Sequence, residues 1–183
     1  MAVTTMSELI GLALKGQKEA FEQLYNETVN EVYRTLYYLS GSHTDAEDIA
    51  QNVYLELYRN LDKYDHSRSL QGWLYGITIR QLHAHRRKKW KEYRNEQKQR
   101  KLQTAPLPAN NHVSFAGDTQ GDFVMEELHD LPEKLKEVLV LRYINDLPQQ
   151  EIANVLSIPI GTVKSRLNQA LVRMREKLGD KSI

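Results

Sequence analysis

Between Pro148 and Leu178 the chain reads PQQEIANVLSIPIGTVKSRLNQALVRMREKL, and no other stretch narrows the possible folds as far. Ile152, Val155 and Leu156 recur at helical spacing and give a short first helix an apolar face. Ala153 is small enough to let a second helix approach closely. Ile158 falls in the turn, and Val163, Leu167, Leu171 and Met174 carry the same core into a longer helix. Pro159 stands near the first turn of that helix, where a missing N–H costs little. Its outer side presents Thr162, Lys164, Ser165, Arg166, Asn168, Gln169 and Arg173, the donors and amides that read base edges and grip phosphates. The pattern predicts a helix-turn-helix whose second helix suits the DNA major groove. A plain αα-hairpin with a solvated face shares the periodicity, but the small residue, turn hydrophobe and later core residue all stand at the motif's offsets. The turn position usually filled by Gly is Ser157, and a positive φ there costs about 1 kcal/mol.

The chain of 183 residues has room for one large domain or two small ones. With no Cys it excludes a disulfide framework and a Cys-ligated metal site, which fits a reducing cytoplasm. No apolar run is long enough to span a membrane, and the N-terminal MAVTTMSELIGLALKG lacks a basic start and a cleavage signal. A net charge of +1 conceals segregation. Residues 1–79 carry six Lys/Arg against eleven Asp/Glu, whereas residues 80–101 carry ten against two. An acidic front followed by a basic block implies two kinds of partner surface.

The rest of the chain reads as helices without a strand pattern or an internal repeat. Ser7 caps a short helix to Leu14, and a longer one runs from about Gln17 to Ser40, with Phe21, Leu24, Tyr25, Thr28, Val32, Leu36 and Leu39 on one face and Gly41 as its stop. Thr44-Asp45-Ala46-Glu47 reads as a capping box opening a third helix. That helix buries Ile49, Val53 and Leu57, uses Ala46 and Ala50 for close packing, and turns Asp45, Asp48, Gln51, Asn52 and Glu56 outward. Residues 61–69 form a polar loop. Ser69 caps a fourth helix that buries Trp73, Leu74 and Ile77 and ends in the basic block.

The order AFEQLY, DAEDIAQNVYLELY, WLYGI running into HRRKK, then LP…VLVLRY…EIA…GTVKSRL resembles the extracytoplasmic-function (ECF) sigma factors of bacterial RNA polymerase. The likeness covers roughly residues 17–90 and 129–178. It implies an all-α chain of two small helical domains joined by a flexible linker: residues 1–95 docking on polymerase and reading the downstream promoter element, a linker over 96–122, and a helix-turn-helix domain over 123–183 reading the upstream element. It implies as partners core RNA polymerase, promoter DNA and an anti-sigma factor, often membrane-anchored among relatives, with no cofactor or metal and a cytoplasmic location.

The resemblance also assigns residues. Asp48 and Gln51 match the family's polar contacts to the polymerase clamp helices, with Asn52 and Glu56 on the same face, and Asn52 replaces the acidic residue common there. For the downstream element, where a flipped base needs a shaped polar loop and nearby cations, the matched residues are Lys63, Tyr64, His66, Ser67 and Arg68, followed by Arg80, Arg86 and Arg87. Arg80 stands where Asn is usual and Ala84 where Asp is usual, which leaves an internal salt bridge of the family in doubt. His83 and His85 are two apart on a helix, so they do not form a metal pair and read as surface side chains near DNA. The run KKWKEYRNEQKQRK is either a solvated helix extension or a segment that tracks phosphates. The Pro/Gly/Asn-rich TAPLPANNHVSFAGDTQGD is aperiodic. The second domain begins near Phe123 and builds its first helices from Leu128, Leu131, Leu135, Val138, Leu139, Leu141 and Tyr143, with a break at Leu131-Pro132.

Two other classes are weaker. A phosphoacceptor regulator needs alternating strands and helices, which are not there. A metal-dependent nuclease would use carboxylates such as Asp45 and Asp48, which capping and docking explain more simply. No phosphate-cradling Gly loop, metal-ligand cluster or nucleophile–base pattern is present, so the reading is a transcription initiation factor and not an enzyme.

Overall fold

The computed structural model of the chain describes residues 6–67, 69–100, 127–128 and 130–180, and among them there is no strand. Four helices form the first half: α1 (Met6–Leu14), α2 (Lys18–Ser40), α3 (His43–Arg59) and α4 (Leu70–Arg100). A 3-10 turn, Leu61–Lys63, separates α3 from α4. The second half holds α5 (Glu133–Tyr143), α6 (Gln149–Leu156) and α7 (Ile160–Asp180). The all-α, two-part architecture expected from the sequence is the one observed.

Helix ends follow capping chemistry, with corrections. Gly41 takes φ 72° and donates its N–H to the carbonyl of Tyr37, stopping α2 where expected. The start of α3 differs from the Thr44 capping box. Ser42 is the N-cap, and its hydroxyl accepts from the Asp45 N–H at 3.3 Å. Ser42 and Asp45 stand three apart, so Ser42 reaches an orphan donor from outside the helix and Thr44 is already inside it. Ser7 likewise lies within α1, which begins at Met6. Ser69 accepts from the Gly72 N–H at 3.2 Å and caps α4 as read.

Two corrections concern the linker and the loop. α4 continues to Arg100, so the first residues of the expected linker, 96–100, are helical. The remainder, 101–122, and the start of the second domain at Phe123 lie outside the described residues. The loop after α3 is less polar than it reads, because Leu61 and Tyr64 are both buried.

The first core gathers Leu9, Leu24, Val32, Leu36, Ile49, Val53, Leu57, Leu74 and Ile77 from all four helices. The second gathers Val138, Leu141, Ile152, Val163, Leu167 and Ala170. Tyr143, assigned to that core from sequence, is 56% exposed. It is the last residue of α5. The halves also pack on each other, α2 against α5 and α4 against α6.

Ser157 ends α6 at φ 53°, ψ 46°, the left-handed conformation expected for this turn without the usual Gly. Ser157→Gly removes the Cβ strain and is expected to raise the urea midpoint, by up to about 1 kcal/mol of stability. An unchanged or lower midpoint would show that the Ser side chain offsets the strain.

Candidate nucleic-acid interface

The helix-turn-helix is built from the residues that predicted it. Ile152, Ala153, Val163 and Leu167 are buried, and Val155, Leu156, Ile158 and Met174 pack around them. Pro159 lies just ahead of α7 and accepts from the Thr162 N–H through its carbonyl at 2.9 Å. With the apolar face of α7 inward, Lys164, Ser165, Asn168, Gln169 and Arg173 are exposed, while Thr162 and Arg166 are half-buried. Ser165 donates to the carbonyl of Thr162 at 3.0 Å, and Lys164 and Arg173 enter no ion pair among the described residues. The stripe is open to a partner along its length.

On α3, Asp48, Gln51 and Asn52 face solvent, and Asn52 donates to the carbonyl of Asp48 at 2.8 Å. Glu56, placed with them by sequence, is turned toward α4. It accepts from Arg80 at 2.9 Å and from the Gln81 amide. Burial pushes the Glu56 carboxyl up, but the Gln81 and Arg80 donors outweigh it and hold it below the usual range. Leu55 and Tyr58, exposed at 51% and 59%, share this side of α3 and carried no sequence signal beyond falling off the apolar period.

In the loop, Lys63 bonds the side chain of Asn60 at 2.7 Å, and Ser67 donates twice to the Asp65 carboxylate, at 2.9 and 2.7 Å. His66 is exposed, and its ring meets that of Tyr64 edge-on. Tyr64, expected to face DNA, is buried with its ring 5.1 Å from Trp73. Burial raises its hydroxyl pKa. Trp73 is half-buried. Arg68 lies outside the described residues. The structure therefore leaves Lys63, His66 and Ser67 exposed in the loop before α4 and withdraws Tyr64 into the interior.

The basic end of α4 divides. Arg87 is exposed, but Arg86 is drawn inward. Its guanidinium bonds Glu137 of α5 at 2.9 Å, approaches Glu133 at 3.4 Å and caps the Leu39 carbonyl at 2.9 Å. His83 joins the same Glu137 carboxylate at 2.8 Å. Lys89 grips Asp45 at 2.6 Å, and His85 Nε2 lies 3.3 Å from that carboxylate without hydrogen-bond alignment. The two histidines, read as surface side chains, are thus turned to carboxylates. A buried carboxylate without such partners would be strongly destabilising.

Sequence reasoning missed Glu137 and Asn145. Asn145 follows α5 and reaches the first half, where its amide donates to Thr35 Oγ1 at 2.7 Å and to the Tyr75 hydroxyl at 2.8 Å. Its own oxygen is buried without a partner. Beside this contact, α6 lies along the N-terminal half of α4. Gly72 is close enough that a Cβ would stand 3.6 Å from the Glu151 carboxylate. An open cleft of about 900 Å³ remains between the halves, lined by Trp73, Gly76 and Arg80 on one side and by Asn154, Ser157 and Ile158 on the other.

Taken together, the chain is an all-helical body with a polar loop, packed against a helix-turn-helix whose second helix leaves a donor stripe exposed. Residues 24–92 match the sigma-70 region 2 family and residues 128–176 the sigma-70 region 4 family. The chain is 30% identical to the ECF RNA polymerase sigma factor SigW of Bacillus subtilis, over 91% of this chain and 92% of that one. It is 34% identical to the RNA polymerase sigma factor HrpL of Pseudomonas syringae over 73% of each. Among solved structures, CnrH in complex with the cytosolic domain of CnrY superposes with TM-score 0.71 at 21% identity, covering 95% of this chain and 97% of that one. The sigma factor RpoE of Bartonella quintana, in complex with the anti-sigma factor NepR, does so with TM-score 0.71 at 22% identity, covering 87% and 96%. The chain belongs to the ECF sigma factors of the sigma-70 family.

The contact between the halves has a pH signature. Burial, followed by the nearby Glu31 charge, pushes the Tyr75 hydroxyl up from 10.0 to about 12. The folded state thus holds this proton more tightly than the unfolded chain does. The resulting stability is fully present below pH 10 and is lost as pH rises toward about 12. Tyr54 is shifted in the same direction and contributes to the wild-type slope. In alkaline denaturation series, Tyr75→Phe is therefore expected to lose stability less steeply than wild type across that window. Parallel slopes would mean that Tyr75 titrates normally.

Proposed function

We propose that this ECF sigma factor reads the two promoter elements with separate surfaces, over the domain boundaries given above, and that its two halves must part for both surfaces to work. The observation that carries the reading is the exposed stripe of Lys164, Ser165, Asn168 and Gln169 on α7. Lys prefers guanine acceptors, Asn and Gln prefer adenine, and Ser is permissive, so the stripe can choose among base edges. Thr162, Arg166 and Arg173 flank it and suit phosphates, which fix register without reading sequence. Asp48, Gln51 and Asn52 suit the clamp of core polymerase, and Lys63, His66, Ser67, Arg68, Arg80 and Arg87 suit the melted downstream element. Tyr64 supports that loop from beneath. Arg86 and Glu56 hold the fold in this arrangement and become available only when their partners move.

An anti-sigma factor is the regulatory partner that fits, since relatives of the same fold were solved with theirs. The site of action is the cytoplasm, where the polymerase is. Among the described residues no helix is long and apolar enough to cross a membrane.

Transcription with core polymerase from a library of randomised promoters tests the reading. Lys164→Ala and Gln169→Ala are each expected to cost about 1–3 kcal/mol at particular upstream bases and to relax preference there. Arg173→Ala should weaken all sequences alike and flatten the salt dependence. Equal losses on every sequence from the stripe variants would mean that this face meets backbone or protein.

The packing of α6 on α4 places the helix-turn-helix against Gly72 and Trp73, next to the loop that should hold a melted base. Holding the halves together should then block promoter opening. Because the chain has no Cys, Gly72→Cys with Glu151→Cys supplies a unique pair for a short thiol cross-linker. The cross-linked protein is expected to lose promoter-dependent transcription by tenfold or more, while the same variant without cross-linker keeps it. Full activity of the cross-linked form would show that parting is unnecessary.

A further inference from the structure

Beyond Leu82 no side chain of α4 among the described residues is fully buried, and from Arg87 to Glu96 every residue is exposed. A helix that leaves the core would ordinarily carry polar side chains there. This one carries Trp90, 63% exposed, and Tyr93, 48% exposed. Their rings lie parallel to within 25°, with centroids 6.0 Å apart. Cations surround them. Arg87, Trp90 and Arg94 fall within about 60° of one another around the helix, with Lys91 beside Arg87 and Arg94, and Tyr93 lies about 60° beyond Trp90, toward the row of Leu82 and Lys89. Arg87, Lys91 and Arg94 enter no ion pair or hydrogen bond among the described residues. Lys89, on the side of the helix turned to the body, is the one held by Asp45. Trp90 and the free Arg87 and Arg94 thus share the outward side, and Tyr93, still 48% exposed, stacks on Trp90 from its edge.

An exposed Trp stacked on a Tyr offers a flat π surface that water solvates poorly, and fixed positive charge beside it selects a polyanion with flat apolar faces of its own. Duplex DNA hides those faces inside its stack, whereas an unpaired strand presents them. We propose that Trp90 and Tyr93, with Arg87, Lys91 and Arg94, form a stacking platform for unpaired DNA on the projecting half of α4. The platform rests on the promoter-reading role above, because α4 begins beside the loop assigned to the melted element. Ten residues separate Arg80 from Trp90, roughly 15 Å along the same rigid helix. A strand that leaves the loop can follow the helix onto the rings, one or two bases stacking while the guanidinium and ammonium groups meet the phosphates.

The test uses the full-length chain. In a Trp73→Phe background Trp90 is the only Trp and reports directly on its surroundings. Titration with an oligothymidine of about ten nucleotides is expected to quench its fluorescence. The affinity should exceed, by several-fold at equal ionic strength, that for a duplex of the same length and for an oligouridine. Tyr93→Ala should weaken strand binding about tenfold, and Lys91→Ala with Arg94→Ala should flatten its salt dependence. Equal or tighter binding of duplex as read by quenching of Trp90 would overturn the platform in favour of plain phosphate attraction. Tighter binding of oligouridine would make the occupant RNA and overturn it as well, and so would unquenched Trp90. A second measurement separates failure of the platform from failure of the promoter-reading role. With core polymerase, Trp90→Ala with Tyr93→Ala should slow opening of a duplex promoter and spare initiation on a pre-melted one. If wild type and variant alike initiate on neither, the role itself fails, whereas equal opening rates for the two overturn only the platform.

Discussion

The buried carboxylate of Glu137 fixes how the two halves of the molecule meet. Its side chain is only 6% exposed, and among the described residues its ion-pair partners both come from the first half. Leaving that charge unpaired would be prohibitive. It is met from the first domain by Arg86 and His83, and Arg86 in turn closes the last turn of α2 through the Leu39 carbonyl. One guanidinium from the middle of α4 therefore joins the last turn of α2 to the middle of α5. Asn145, bonded to Thr35 and Tyr75, adds a neutral contact a short distance away. The hydrogen bonds and ion pairs that cross the interface stand beside apolar packing, and they are polar and charge-paired. That chemistry suits surfaces that must also be stable when wet, since each group can exchange its partner for water.

The helical architecture was legible because its signals are local. Period, caps and turn chemistry located α2, α3, α6 and α7 to within a residue or two, and Ser157 was identified as a left-handed turn residue without the help of a Gly. The recognition stripe was legible for the same reason. Once Val163 and Leu167 are buried, Lys164, Ser165 and Asn168 have nowhere to point but outward.

What stayed hidden depends on contacts between distant segments. Tyr64 reads as a polar loop residue, but the loop folds back over Trp73 and buries it. Glu56 reads as one more acid on an exposed face, yet Arg80, a residue 24 positions away, turns it inward. His83 and Arg86 read as part of a basic surface, and only the tertiary structure supplies the carboxylate that claims them. Glu137 itself sits in an amphipathic helix where a single acid is unremarkable by sequence, so no local pattern marks it as buried.

The length of α4 has a consequence for how this molecule can vary. Thirty-one residues in one uninterrupted helix make a rod of roughly 46 Å, buried at one end and free at the other. Such a rod fixes phase as well as distance, because each residue advances the helix by about 100°. A single inserted or deleted residue between Lys89 and Trp90 would leave the core and the contacts of His83, Arg86 and Lys89 in place and rotate everything beyond it by more than a quarter turn. The cations and rings of the free end would then look away from the loop at the other. Substitution beyond Lys89 therefore costs the fold little, whereas a change of length redirects the whole free end.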